Sequence, residues 1–301
     1  MWIECAIIGG GPAGLNAALV LGRSRRNVIL FDHNKPRNAV THQSHGFITR
    51  DGIQPSEFRR LAHQDIAKYP SVTIKPDKVT EVAKSTAGFQ LTTGNGVVYY
   101  ARTIILAAGL KEMLPSVPNI QDFYGKSLFS CPYCDGWELR DKPLVLISEG
   151  TSAFHGAKIV YNWSRNVLVC TNGSNKLNAD QIAQLGRKGI QVNAHRIKSL
   201  VGTNGQLTAI IFDNHTKADC IGGFVHPQWD HAAAFGEALG CSTNESGGFV
   251  TDDFGRTSVM GVYAAGDAAI IAPAQLVIAA GEGSKAAIGV NTDLTSQDFD
   301  R

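Results

Sequence analysis

The hexapeptide Gly9-Gly10-Gly11-Pro12-Ala13-Gly14 constrains this 301-residue chain more than any other stretch. It follows the apolar run Cys5-Ala6-Ile7-Ile8, which reads as a buried parallel strand, and it opens an Ala- and Leu-rich helix over residues 15–22. A second apolar run, Val28-Ile29-Leu30-Phe31, then ends on Asp32, about 20 residues beyond the glycines. This is the strand–turn–helix–strand context in which G-x-G-x-x-G holds a dinucleotide. Gly9 permits the tight turn, Gly11 lets the backbone approach a pyrophosphate, and Gly14 lets helix and strand pack closely. Pro12 and Ala13 start a helix whose amino terminus faces the anion, and Asp32 stands where a ribose-binding acid belongs. The motif alone does not separate FAD from NAD.

Beyond Asp32, residues 36–52 are polar and turn-rich and read as a loop, followed by Pro55 and a helix over 56–69. Strands are expected at 72–74, 79–83 and 89–92, with Gly94-Asn95-Gly96 turning the chain into 97–101. Thr103-Ile104-Ile105-Leu106-Ala107-Ala108-Gly109 is another buried strand entering a glycine turn. A second half-unit starts at Pro143-Leu144-Val145-Leu146-Ile147, continues as a helix over 153–163 and ends in a strand over 166–170. Its turn reads Ser148-Glu149-Gly150-Thr151-Ser152, so only the middle glycine survives, and Glu149 brings a carboxylate toward the place of a pyrophosphate. Thr171-Asn172-Gly173 follows without the arginines an NADP 2′-phosphate would want. A helix over 179–189, a strand over 190–194 and a hairpin over 197–212 come next, and Gly222-Gly223 reads as the return to the first domain. Near the carboxy terminus Gly266-Asp267 closes a strand, an Ala/Gly-rich helix covers 278–289, and the chain from Thr292 reads as a fraying tail.

Cys131-Pro132-Tyr133-Cys134-Asp135-Gly136 carries the reactive chemistry. C-x-x-C spacing keeps two sulfurs within reach of a small disulfide ring and favours a reactive thiolate. Asp135 is placed to hold or deliver the proton that a leaving thiolate needs. The competing reading is half of a zinc site, but Cys5, Cys170, Cys220 and Cys241 stand alone at wide spacing and supply no second pair. These four read as small buried hydrophobes, Trp163 and Trp229 as packing residues, and His226 and His231 carry no assigned role.

A formal net charge of +2 with no Lys/Arg run argues against nucleic acid, and no stretch reaches the roughly 20 apolar residues of a membrane span. The amino terminus lacks the pattern of a signal peptide, and six cysteines outside any disulfide framework fit a reducing, cytoplasmic setting.

Together, Gly9 to Gly14, Ala107-Ala108-Gly109, the C-x-x-C stretch and Ala264-Ala265-Gly266-Asp267 resemble the low-molecular-weight thioredoxin reductase family of flavoproteins, over essentially the whole chain. Pro36-Arg37-Asn38, His45-Gly46-Phe47 and Arg50-Asp51-Gly52 resemble the branch containing dithiol oxidases, in which a His commonly stands where this chain has Asp135. The resemblance implies an α/β fold of two Rossmann-like, three-layer FAD/NAD(P)-binding domains, the second inserted into the first, with boundaries at 1–113, 114–222 and 223–301. It implies FAD in the first domain, a homodimer, Cys134 as the flavin-facing sulfur and Cys131 as the one that exchanges with substrate. Asp267 would hold the ribityl chain, Gln275 would sit near the isoalloxazine, and Asn38, His45, Gly109 and Gly266 would complete the cofactor site. The expected substrate is a thioredoxin-like protein or a small dithiol. Because the second fingerprint is degraded, NADPH is not expected as reductant. Electrons would come from ferredoxin, flavodoxin or a second flavin, or leave to dioxygen. The alternative is a flavin sensor without turnover.

Overall fold

The structure is a computed structural model that describes residues 2–271 and 273–300, with Trp2 described by its backbone alone. The chain opens with strand β1 (Trp2–Ile8), helix α1 (Pro12–Arg23), β2 (Val28–Phe31), α2 (Pro55–Ile66), β3 (Val72–Lys75), β4 (Val79–Ser85), β5 (Gly88–Thr93) and β6 (Val98–Leu106). It continues through β7 (Leu110–Met113), β8 (Leu128–Phe129), α3 (Pro132–Leu139), β9 (Leu144–Ile147), α4 (Ala153–Val160), β10 (Val167–Cys170), α5 (Ala179–Gly186) and β11 (Gln191–Asn193). The last third holds β12 (Ile197–Thr203), β13 (Gln206–Phe212), β14 (Lys217–Asp219), β15 (Gly222–Val225), β16 (Gln228–His231), α6 (Phe235–Leu239), β17 (Val262–Ala264) and α7 (Leu276–Phe299).

Two compact units result. One comprises residues up to 39, 46–111 and 230 onward; the other comprises 40–45 and 112–229. In the first, the sheet order is β3-β2-β1-β6-β5-β4, with β17 also on β6. β1 runs parallel to both neighbours, Cys5 facing Val28 on one side and Thr103 on the other. On its edge away from β1, strand β6 pairs antiparallel with β5 at its start and parallel with β17 at its end. Alternate side chains of the central strands enter opposite cores, as a pleated strand requires. Ala6, Ile8, Ile29, Phe31 and Leu106 pack on one face, whereas Cys5, Ile7, Val28, Leu30 and Ile105 pack on the other with α1 and α7. The second unit has a parallel sheet, β11-β10-β9-β15-β8, and an antiparallel meander, β12-β13-β14.

Four expectations need correction. Gly222-Gly223 does not return the chain to the first unit: it begins β15, which is fully buried beside β9, and the change of unit falls between 229 and 230. The crossing out of the first unit falls between 111 and 112 rather than after 113. The segment from Thr292 does not fray, because α7 runs on to Phe299. Arg26 donates to Asn291 Oδ1 and Thr295 Oγ1, Arg256 forks onto Asp293 at 2.8 and 2.7 Å, and Arg102 pairs with Asp298 at 2.8 Å. A polar tail held by three guanidinium groups stays helical. The helix of the degraded half-unit is shorter than 153–163, ending at Val160.

α7 also lies unusually close to the glycine turn. A Cβ at Gly283 would stand 2.0 Å from the Ala13 carbonyl oxygen, and one at Gly14 would stand 1.9 Å from that of Gly9. In an open helix, Gly→Ala gains up to about 1 kcal/mol from propensity, while overpacking against backbone costs roughly 1–3 kcal/mol. The second effect wins here, so Gly283→Ala is expected to lower unfolding stability, measured as an earlier urea midpoint at unchanged slope.

Candidate active site

The first glycine turn is shaped entirely by backbone. Gly9 adopts φ +115°, and a Cβ there would stand 2.2 Å from the Ala107 carbonyl oxygen at the end of β6. Gly11 caps α1 in an extended conformation without a side-chain hydrogen bond, and a Cβ at Gly11 would meet nothing within 4 Å. Pro12 follows as the first helical residue, and no acid lies in the first turn of α1. Gly109 (φ +71°) likewise faces open space. The uncapped helix end and the room beside it fit a pyrophosphate, which would take the amides that no side chain satisfies.

Asp32 leaves β2 7% exposed, with its carboxylate against the turn: a Cβ at Gly10 would stand 2.2 Å from the Asp32 carboxyl carbon. Its Oδ1 accepts from the Asn34 amide at 2.9 Å, and its Oδ2 from Arg59. Arg59 and His63 lie one turn apart on α2, with His63 Nε2 4.0 Å from the same carboxylate oxygen and without a hydrogen-bond partner. Burial holds the His63 imidazole below its ordinary range; Arg59 adds to this and Asp32 opposes it. The turn Gly266–Ala268 holds Asp267, whose Oδ2 accepts from Arg37 Nη2 at 2.8 Å. Asn38 follows Arg37 in a single helical turn, and Gln275 caps α7 with its amide near Gly46. All these residues belong to the first unit. His45 does not: it falls in the second unit, its Nε2 3.8 Å from Glu138 Oε1.

The second unit carries the sulfurs, and Cys131 and Cys134 form a disulfide. Cys131 is the extended N-cap of α3 with Pro132 behind it, and its carbonyl oxygen accepts from the amides of Cys134 and Asp135. α3 sits on Trp163, because Gly136 has no Cβ; one would stand 2.7 Å from the indole. Tyr133 meets the same indole edge-on at 5.4 Å. Tyr133 and Trp137 remain 64% and 65% exposed beside the disulfide. Burial pushes the Asp135 carboxyl up to about 7; His45 opposes the shift and Glu138 reinforces it. A carboxyl poised there can exchange a proton near neutral pH. The remaining cysteines are buried, and desolvation pushes the Cys5 and Cys220 thiols up to about 12, which leaves them inert. Among the described residues, no group of three His, Cys, Asp or Glu could hold a metal ion.

The second turn is crowded by side chains. Val225 of β15 pairs with Ile147 of β9, so Ser148 and His226 leave adjacent parallel strands at the point where strand order reverses. In open α/β sheets a ligand enters that crevice. Here His226 Nδ1 lies 3.0 Å from Ser148 Oγ and 3.1 Å from Ser152 Oγ, and its ring crosses α4 where a Cβ at Gly156 would stand 2.3 Å away. Burial, with His155 nearby, holds the His226 imidazole below its ordinary range. Glu149 accepts from Asn172 Nδ2 at 2.6 Å, which ties the turn to the end of β10. One arginine that spacing missed, Arg196, lies against Gly173, whose Cβ would meet its side chain at 3.0 Å.

Arg37 was legible only within Pro36-Arg37-Asn38 and without a role; the packing of Trp163 on Gly136, and Arg59 and His63, were not legible. Only the four-residue spacing of Arg59 and His63 on α2 hinted that the latter pair share a face.

A dinucleotide turn in one Rossmann-like unit and a redox disulfide on the other define a flavin-dependent disulfide oxidoreductase. The chain belongs to the pyridine nucleotide-disulphide oxidoreductase family, which matches residues 3–283, and within it to the thioredoxin reductase-like flavoproteins. It is 46% identical to a putative thioredoxin reductase of Bacillus anthracis, whose crystal structure superposes with a TM-score of 0.95 over 99% of this chain and 100% of that one. The structure of HlmI is similar at 32% identity, a TM-score of 0.93 and coverage of 99% and 94%. Thioredoxin reductase aclD of Aspergillus oryzae is 30% identical over 97% of this chain and 96% of its own length. A probable thioredoxin reductase of Arthroderma benhamiae is 37% identical over 191 residues, and the match spans about half of that protein, 47%. No helix among the described residues is long and apolar enough to cross a membrane.

The raised Asp135 carboxyl sets a pH dependence. Below about 7 it is protonated and can donate to a departing thiolate; above, that proton is gone. Thiol–disulfide exchange by the wild type is expected to fall as pH rises through about 7, and Asp135→Asn should be slow and flat across that range. Because folding raises this pKa, the buried charge costs stability above about 7 and nothing below the unfolded value. Asp135→Asn should therefore melt later than wild type at alkaline pH, with the difference vanishing in acid.

Proposed function

We propose that the chain is an FAD-dependent dithiol/disulfide oxidoreductase that is not driven by NADPH. The observation that carries the donor part is the crowded second turn. Its switch-point crevice is spanned by the His226–Ser148–Ser152 contacts, and its ribose position by Glu149 and Asn172. Glu149 adds a negative charge where two phosphates would lie. Arg196 supplies a cation at the far end, which does not clear the crevice. Electrons are then supplied by ferredoxin, flavodoxin or a second flavin.

In the first unit Gly9, Gly11 and Gly14, with Pro12 and Ala13, bind the FAD pyrophosphate at the amino terminus of α1. Asp32 takes the adenosine ribose. Gly109, Gly266, Asp267, Asn38 and Gln275 line the flavin half. FAD, when bound, exchanges an electron pair with the protein disulfide. Reduction opens the Cys131–Cys134 bond to two thiols with uptake of two protons. Cys131, at the helix N-cap, then attacks a substrate disulfide, and Cys134 resolves the mixed disulfide. Asp135, with His45 and Glu138 beside it, moves the proton.

The substrate is a thioredoxin-like protein. A second reading is favoured by the exposed Tyr133 and Trp137, which offer a small aromatic or apolar dithiol a seat beside the sulfurs. The same exchange then runs in reverse, with the electron pair leaving to dioxygen. A cytoplasmic homodimer is part of the proposal, and the four unpaired buried cysteines support the reducing setting.

Anaerobic titration of the purified, yellow protein tests the donor. Reduced ferredoxin should bleach the flavin band, and NADPH or NADH should leave it intact; rapid bleaching by NADPH overturns the donor assignment. Cys134→Ser keeps the exchanging sulfur and removes the resolving one, so it should accumulate a dithiothreitol-sensitive mixed disulfide with its substrate. Recovery of only free Cys131 thiol in that variant would count against substrate exchange.

A further inference from the structure

Arg37 belongs to none of the dinucleotide motifs, yet it pairs with a carboxylate of the first site. Its partner Asp267 lies in the turn Gly266–Ala268. Gly266 adopts φ +66°, and a Cβ there would stand 2.9 Å from the Ala13 Cβ. Ala13 is the second residue of α1, so the Gly-Asp turn rests on the helix end built to face a pyrophosphate. This packing brings a carboxylate close to where two phosphates belong, and like charges at short range repel. The Arg37 guanidinium, 2.8 Å from Asp267 Oδ2, reverses the sign of that environment. α1 supplies no cation of its own in its first turn: its opening residues are Pro12, Ala13, Gly14 and Leu15.

We infer that Arg37 is a dinucleotide-binding residue. Its guanidinium, oriented by Asp267, hydrogen-bonds the pyrophosphate of the bound cofactor and offsets the Asp267 carboxylate. A carboxylate oxygen carries more than one lone pair, so Asp267 keeps capacity for hydroxyls of the polyol chain while holding Arg37. The inference rests on FAD being the occupant of the first unit. A purely structural role is the competitor, and partly exposed ion pairs of this kind contribute little to stability.

The experiment titrates full-length, flavin-stripped protein with FAD and with riboflavin, which lacks phosphate, following flavin fluorescence. Arg37→Met should raise the FAD dissociation constant by about ten- to a hundred-fold, as for loss of a hydrogen bond to a charged group. Arg37→Lys, which keeps the charge without the planar fork, should fall between. Riboflavin affinity and the melting temperature before flavin addition should not change. FAD affinity of Arg37→Met within about twofold of wild type overturns the inference, as does equal weakening of riboflavin. Wild-type protein that binds no FAD removes both this inference and the cofactor reading, whereas tight wild-type binding with an indifferent variant removes only the role of Arg37.

Discussion

The approach of bare backbone to bare backbone at the start of α1 is the constraint on which the rest depends. Gly9 lies on Ala107, Gly14 on Gly9, and Gly283 of α7 on Ala13, each at a separation that excludes a Cβ. These backbone contacts fix the end of α1 relative to β1, β6 and α7. The helix end is left without a side-chain cap and with room for an anion beside Gly11. Even Asp32 obeys the rule, since its carboxylate packs where Gly10 has no side chain.

The two Rossmann-like units place different side chains on one topology. Both place a strand–turn–helix where strand order reverses. In the first, glycines clear the turn and the charges present are paired: Asp32 with Arg59, Asp267 with Arg37. In the second, two hydroxyls meet an imidazole at the corresponding turn and a carboxylate accepts from the Asn172 amide. The second unit's disulfide lies on α3, where burial raises the Asp135 carboxyl beside two sulfurs and Gly136 seats the helix on Trp163.

The central strands at Val28–Phe31 and Leu144–Ile147 were legible because buried parallel strands are continuous apolar runs. The α/β class and its two Rossmann-like halves followed from those runs and the glycine turns between them. The misread segments share a cause. Gly222-Gly223 resembles a linker, but Gly223 is glycine because a Cβ would stand 2.0 Å from the Val145 carbonyl oxygen in a packed sheet. The tail after Thr292 resembles a fraying end, but Arg26, Arg102 and Arg256, distant in sequence, bind it. Long-range partners leave no local signature.

The sequence by itself determined which atoms carry the chemistry: two sulfurs at C-x-x-C spacing, an acid beside them, and a glycine turn after a buried strand. Those are local patterns, set by bond lengths and backbone freedom over a few residues. Tertiary structure alone decided the electrostatic setting of those atoms. Asp135 rises to about 7 through burial, His45 meets Glu138, and Arg37 and Arg59 reach carboxylates 230 and 27 residues away in the chain. Charge and desolvation depend on distance in space, and only folding sets that distance.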